Sequence, residues 1–119
     1  RFPYGAYGNG NGGYHHLNTM KKVSQELYGE NCINFAFWDI DTSDWVTNMT
    51  SDNIVQTLMA NLNGGIAYKF KKTNNGYTKV SYKINRPLEG GVILMHDIHK
   101  RTVNSTEKFL KNIEGSNIE

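Results

Sequence analysis

Cysteine is almost missing from this sequence, charge of one sign is weak, and no long apolar run occurs in its 119 residues. The lone Cys32 excludes an internal disulfide framework and any cysteine-rich zinc module. At the head of an apolar stretch it reads as a buried, inert thiol rather than a nucleophile. A formal net charge of +2, with no Lys/Arg run longer than two residues, argues against nucleic acid as a partner. No stretch approaches the length of a membrane span. Hydrophobic residues make up only 38% and glycine 12 of 119, so the chain is at most one domain, and its core need not be complete.

What is present falls into an ordered series. Residues 5–13 hold five glycines and form a flexible loop, and no Gly-Lys-Ser/Thr follows to make it a phosphate cradle. A helix is expected from near Tyr14–Asn18 to Gly29, with Leu17, Met20, Val23 and Leu27 as its core stripe. Residues 33–38 read as a buried strand that discharges Asp39, Asp41, Asp44 and Trp45 at its end. Thr50-Ser51-Asp52 supplies N-cap residues for a second helix carrying Ile54, Leu58, Met59 and Leu62, which stops at Asn63-Gly64-Gly65. Residues 66–72 and 77–84 alternate around Thr73-Asn74-Asn75-Gly76 as a hairpin. Its Lys69, Lys71, Lys79 and Lys83 make a wet face, read as a solvated edge in preference to a contact for an acidic or sugar polymer. Beyond Pro87, a central strand over 92–96 is entered through Gly90-Gly91. A closing helix follows, with Val103, Thr106, Leu110 and Ile113 as its apolar stripe and a Glu107–Lys111 surface pair. Strands alternating with helices point to parallel α/β, but too few strands are present to close a barrel. By this count the chain is half a fold.

The chemistry sits at the strand ends. His96 ends an apolar run, where a rim-facing imidazole offers acid/base capacity near neutral pH. Such a histidine needs a carboxylate to hold its tautomer, and Asp44 on the neighbouring strand's loop is the candidate. Asp97 ranks behind it because it points to the other side of an extended chain. His96 and His99 have a spacing that chelates metal on a helix, but the strand–helix boundary falls between them. Arg1 carries a planar fork suited to a buried carboxylate. Phe2-Pro3 forces an extended backbone, and the Tyr4 amide is then the next donor able to face a developing oxyanion.

Arg1-Phe2-Pro3-Tyr4-Gly5, Asp41-Thr42-Ser43-Asp44-Trp45 and Ile93-Leu94-Met95-His96-Asp97 closely resemble the third, fourth and fifth motifs of the NodB-type polysaccharide deacetylases, carbohydrate esterase family 4. The resemblance implies an α/β fold, the C-terminal part of a distorted (β/α) barrel, with the hairpin at about 66–84 as an insertion. It implies a divalent metal, usually zinc, and removal of N- or O-acetyl groups from polymers such as peptidoglycan, chitin or xylan. Carried over, Arg1 would position the catalytic-base aspartate, and Pro3 and Tyr4 would line the groove. Asp44 would tune His96, and Trp45 would wall the acetyl pocket. Leu94 would touch the acetyl methyl, and His96 would protonate the leaving amine or alcohol.

Two motifs of that family are absent: the Thr-Phe-Asp-Asp-like segment with the base and one metal ligand, and the His-x-x-x-His-like segment with the other two. The whole chain, residues 1–119, is therefore expected to be the C-terminal portion of a deacetylase domain, without metal ligands of its own. Alone it is expected to be inactive. Its partners are expected to be a polysaccharide and an N-terminal half supplied by a second chain or a longer precursor. Folded alone it should leave an apolar patch and unpaired strand edges. Polymer substrates imply an extracellular or cell-envelope setting, any export signal lying upstream. The rival reading is a non-catalytic carbohydrate-binding remnant gripping sugar through Trp45, Tyr4, Tyr68 and Tyr82. A serine triad using Ser43 or Ser51 is disfavoured because no Gly-x-Ser-x-Gly elbow occurs.

Overall fold

The computed structural model describes residues 15–30, 36–88 and 90–116. Arg1, Pro3, Tyr4, the glycine loop, Cys32 and the first half of the expected 33–38 strand lie outside them. Two compact units divide the chain, Arg1–Phe37 and Trp38–Glu119.

The first unit holds α1, His15–Tyr28. Gly29 ends it as expected, at φ +71° with its amide returned to the Gln25 carbonyl. The expected core stripe is not realised. Met20, Val23 and Leu27 are exposed and Ser24 is buried instead. Among the described residues of this unit, no second element is present to cover the apolar side.

The second unit is a small mixed α/β domain. It runs β1 (Ile40–Asp41), α2 (Ser51–Asn63), β2 (Gly65–Thr73), β3 (Gly76–Ile84), β4 (Ile93–Leu94) and α3 (Lys100–Ile113). Its strands form two sheets of two, and no barrel closes among the described residues. β1 and β4 pair in parallel, Ile40 opposite Ile93 and Asp41 opposite Leu94. This is the parallel juxtaposition that the alternating pattern predicts, but it is shorter and placed differently. Residues 36–38 are not strand, and the pairing falls in what reads as the acidic loop. The register begins where the Asp39 and Ile40 amides both meet the Val92 carbonyl. It ends where the Thr42 hydroxyl takes the Leu94 carbonyl at 2.9 Å and Ser43 turns left-handed at φ +51°. The expected 92–96 strand is cut to two residues because the His96 amide leaves the ladder for a side chain.

α2 begins as the cap residues predict. The Thr50 hydroxyl accepts from the Asn53 amide and the Asn53 side chain accepts from the Thr50 amide, a closed capping box. Ile54 and Leu58 are fully buried, and they join Ile40, Val46, Met49 and Phe109 in the core. Met59 and Leu62 flank it.

The hairpin forms at the expected turn, Thr73 opposite Gly76, but it is not a detached edge. Tyr68 and Phe70 point their amides outward from β2, where the hydroxyls of Thr57 and Ser43 accept them at 2.9 and 3.2 Å. Opposite Phe70, the Lys79 amide on β3 donates to the Asn48 side chain at 3.1 Å. The chain from Ser43 to Asn48 thus reaches both outer edges of the hairpin, which satisfies strand edges that would otherwise be open.

Of the expected stripe of α3 only Ile113 packs against the core. Thr102, Ser105 and Phe109 are inside, whereas Val103 and Leu110 are 55% and 57% exposed and Thr106 is exposed. Small hydroxyl residues allow α3 to approach α2 closely: Ser105 donates to the Thr102 carbonyl and Ser51 of α2 donates to the Arg101 carbonyl. The polar requirement at Thr102, set by the site below, turns the helix away from its apparent stripe.

Candidate functional site

The turn after β1 and the segment after β4 meet because their strands are neighbours. Asp41 starts the turn by accepting the Ser43 amide at 2.8 Å, an Asx turn that sends the next residue inward. That residue is Asp44, with none of its surface exposed. A buried carboxylate must be hydrogen-bonded or protonated. Here Oδ2 accepts the His96 backbone amide at 2.6 Å and the Thr102 hydroxyl at 2.6 Å. Oδ1 faces His96 Nδ1 at 2.8 Å. The Asp44 carbonyl accepts from Arg101 Nε at 2.6 Å, tying the same residue to the first turn of α3.

Burial pushes the Asp44 carboxyl up. The Thr102 hydroxyl, the His96 amide, the His96 ring and the ring's charge together outweigh it and hold Asp44 below the ordinary carboxylate value. An ionised carboxylate has no proton to give, so Nδ1 is the donor of the pair. Nε2 is the ring nitrogen that does not face Asp44. The His96 side chain is 39% exposed, enough for access from solvent. Asp41, beside the site, is felt by Tyr82, whose phenol is pushed up by burial first and by the Asp41 charge second.

Of the expected site residues, Asp44 and His96 are brought together, and Asp97 stays exposed outside the pair. Leu94 is buried at 8% in β4. Trp45 is half-buried against Phe70 and Tyr77, with ring centroids 5.2 and 4.9 Å away. Arg1, Pro3 and Tyr4 lie outside the described residues. His99 begins α3 as its N-cap, its side chain making no capping bond. Among the described residues, no three His, Cys, Asp or Glu side chains converge, so these residues do not fit a metal centre.

Thr102 and Arg101 escape the sequence reading. The signal for them was indirect: a buried carboxylate has more acceptor sites than one imidazole can fill. A short hydroxyl in the first turn of the helix after His96 was the nearest candidate donor. Among the described residues no buried side-chain nitrogen or oxygen lacks a partner, so the set of donors around Asp44 is complete. No helix among them is long and apolar enough to cross a membrane.

Comparison of the chain with protein-family models, with curated proteins and with solved structures finds no match.

Proposed function

We propose that this chain supplies the proton-donating side of a hydrolase that removes acetyl groups from a polysaccharide, as the resemblance to NodB-type deacetylases implies. The observation that carries the reading is the Asp44–His96 pair: a fully buried carboxylate with three donors, holding a half-open imidazole at 2.8 Å. Water adds to the acetyl carbonyl, its proton passing to the base of the other half, and the bond from the acyl carbon to the sugar's nitrogen or oxygen breaks. His96 Nε2 gives its proton to the departing amine or alcohol, and acetate leaves. Asp44 keeps Nδ1 protonated and the ring in place throughout. Leu94, Trp45, Arg1, Pro3 and Tyr4 take the acetyl-pocket and groove roles that the resemblance gives them.

In this reading the base, and the ligands of a divalent metal such as zinc, come from an N-terminal half contributed by a second chain or a precursor. No step assigned to this chain passes through that metal. The polymer, chitin-like or peptidoglycan-like, places the action outside the cell or in its envelope. A non-catalytic carbohydrate-binding role has its own support in the half-open rings of Phe70 and Tyr77 beside Trp45.

The test is acetate release from N-acetylglucosamine oligomers and acetylated xylan by the chain combined with its N-terminal half. Native mass spectrometry and metal analysis of the same sample accompany it. His96→Ala is expected to slow release roughly 10²–10⁴-fold, the usual contribution of a general acid. Release unaffected by that change contradicts the assignment. Release by the 119-residue chain alone contradicts the division into halves.

A further inference from the structure

The β2–β3 hairpin concentrates charge that the rest of the chain does not share. Five of the 13 Lys and Arg residues lie between Gly65 and Ile84, and none of the 11 Asp and Glu do. The hairpin is therefore +5 and the remainder −3 of a net +2. Among the described residues, none of these lysines is paired with a carboxylate; the ion pairs lie elsewhere, at Lys22, His96, Lys108 and Lys111. A solvated face ordinarily intersperses both signs. This one does not, so its lysines repel one another with no carboxylate among the described residues to offset them.

The same hairpin exposes aromatic surface. Phe70 and Tyr77 are 40% and 50% exposed, and with Trp45 they form one cluster with centroids 4.9–5.7 Å apart. The register puts Lys72 opposite Tyr77 and Lys79 opposite Phe70, so ammonium groups and rings share a face. Lys79 is already held by Asn53 at 2.6 Å, whereas Lys72 and, on the other face, Lys71 are exposed. Aromatic rings offer apolar planes to the C–H faces of pyranose rings, and ammonium groups meet anionic substituents along the chain. Trp45 follows Asp44 directly, so the cluster starts one residue from the buried carboxylate.

We propose that the hairpin and Trp45 form a binding surface for an anionic polysaccharide. This names the substrate class of the carbohydrate reading above and rests on it. A nucleic acid is disfavoured because its dense phosphates call for several cations on one face, and only Lys72 and Lys79 stand opposite the rings of Tyr77 and Phe70.

Affinity electrophoresis of the full chain tests the assignment, with polygalacturonate, neutral dextran and a short DNA duplex as probes in parallel gels. Polygalacturonate is expected to retard the chain, more weakly as salt rises, while dextran does not. Lys72→Gln, on the face of the rings, is expected to weaken retardation about two- to fivefold. Tyr77→Ala, at an exposed ring, is expected to weaken it without changing its salt dependence. Circular dichroism checks that both variants fold. Equal retardation by dextran overturns the proposal, as does DNA retardation as strong as that by polygalacturonate, or indifference to Tyr77→Ala. His96→Ala separates the two readings. Acetate release without polygalacturonate binding removes the hairpin assignment alone. Binding that persists without acetate release in the unmodified complex removes the catalytic reading alone.

Discussion

Replacing Thr102 with valine keeps the outline of the side chain while removing one of three donors to a buried carboxylate. Hydrogen bonds to charged groups contribute roughly 1.5–3 kcal/mol, and Thr102→Val should destabilise the domain by about that much in urea unfolding. Asp44 also sets an acid limit. Its folded carboxyl lies below the ordinary 3.8, so below that value the unfolded chain binds more protons than the folded one. The stability it contributes is present above 3.8 and is lost as pH falls through the lowered folded value. Asp44→Asn should flatten that part of the acid dependence of the urea midpoint. The comparison needs the variant, because the exposed Glu107, lowered by its hydrogen bond to Lys111, titrates in the same direction. The Asp44–His96 pairing was legible beforehand because a strand-end imidazole calls for a carboxylate and parallel neighbours bring their ends together. Thr102 was not, since a buried hydroxyl leaves no trace in apolar periodicity.

Elements were legible where local chemistry decides them. Thr50 with Asn53, Gly29 after α1 and Thr73–Gly76 in the hairpin all act within four residues, and each boundary falls where its residues predict. α3 was misread because its packing is chosen by a tertiary demand. The need for Thr102 against Asp44 outranks burial of Val103 and Leu110. Phe109→Ala should therefore cost about 3–5 kcal/mol, and Leu110→Ala no more than about 0.5 kcal/mol; equal costs in chemical denaturation would restore the original stripe. Entry to β4 rests on backbone shape. Gly91 sits at φ +140°, and an added Cβ would lie 3.0 Å from Asp39 Oδ2 and 3.1 Å from its Cβ. Asp39 Oδ2 in turn accepts the Val92 amide at 2.9 Å. Gly91→Ala should cost more than about 1 kcal/mol and unprotect the Val92 amide in hydrogen exchange; protection left intact would mean that the clash relaxes elsewhere.

Across the whole molecule, two strands of two residues cannot hold a sheet by their ladder alone. Side chains join the two segments as well: Asp39 holds the Val92 amide, Thr42 donates to the Leu94 carbonyl, and Asp44 reaches both the backbone and the ring of His96 and extends to α3. The mixed α/β character and the parallel pairing of β1 with β4 were legible in the alternation of elements. The hairpin's integration was not, because the hydroxyls and amides that bind its edges, Ser43, Asn48 and Thr57, look like ordinary polar loop and helix residues. The fold and the proposed chemistry both depend on one arrangement: an ionised Asp44 holding the proton on His96 Nδ1. Nitrogen-15 NMR of the two His96 ring nitrogens, in the full chain and in Asp44→Asn, tests it most directly. The account predicts a persistently protonated Nδ1, with this preference weakened in the variant. A neutral ring carrying its proton on Nε2, or identical spectra from both chains, would contradict it.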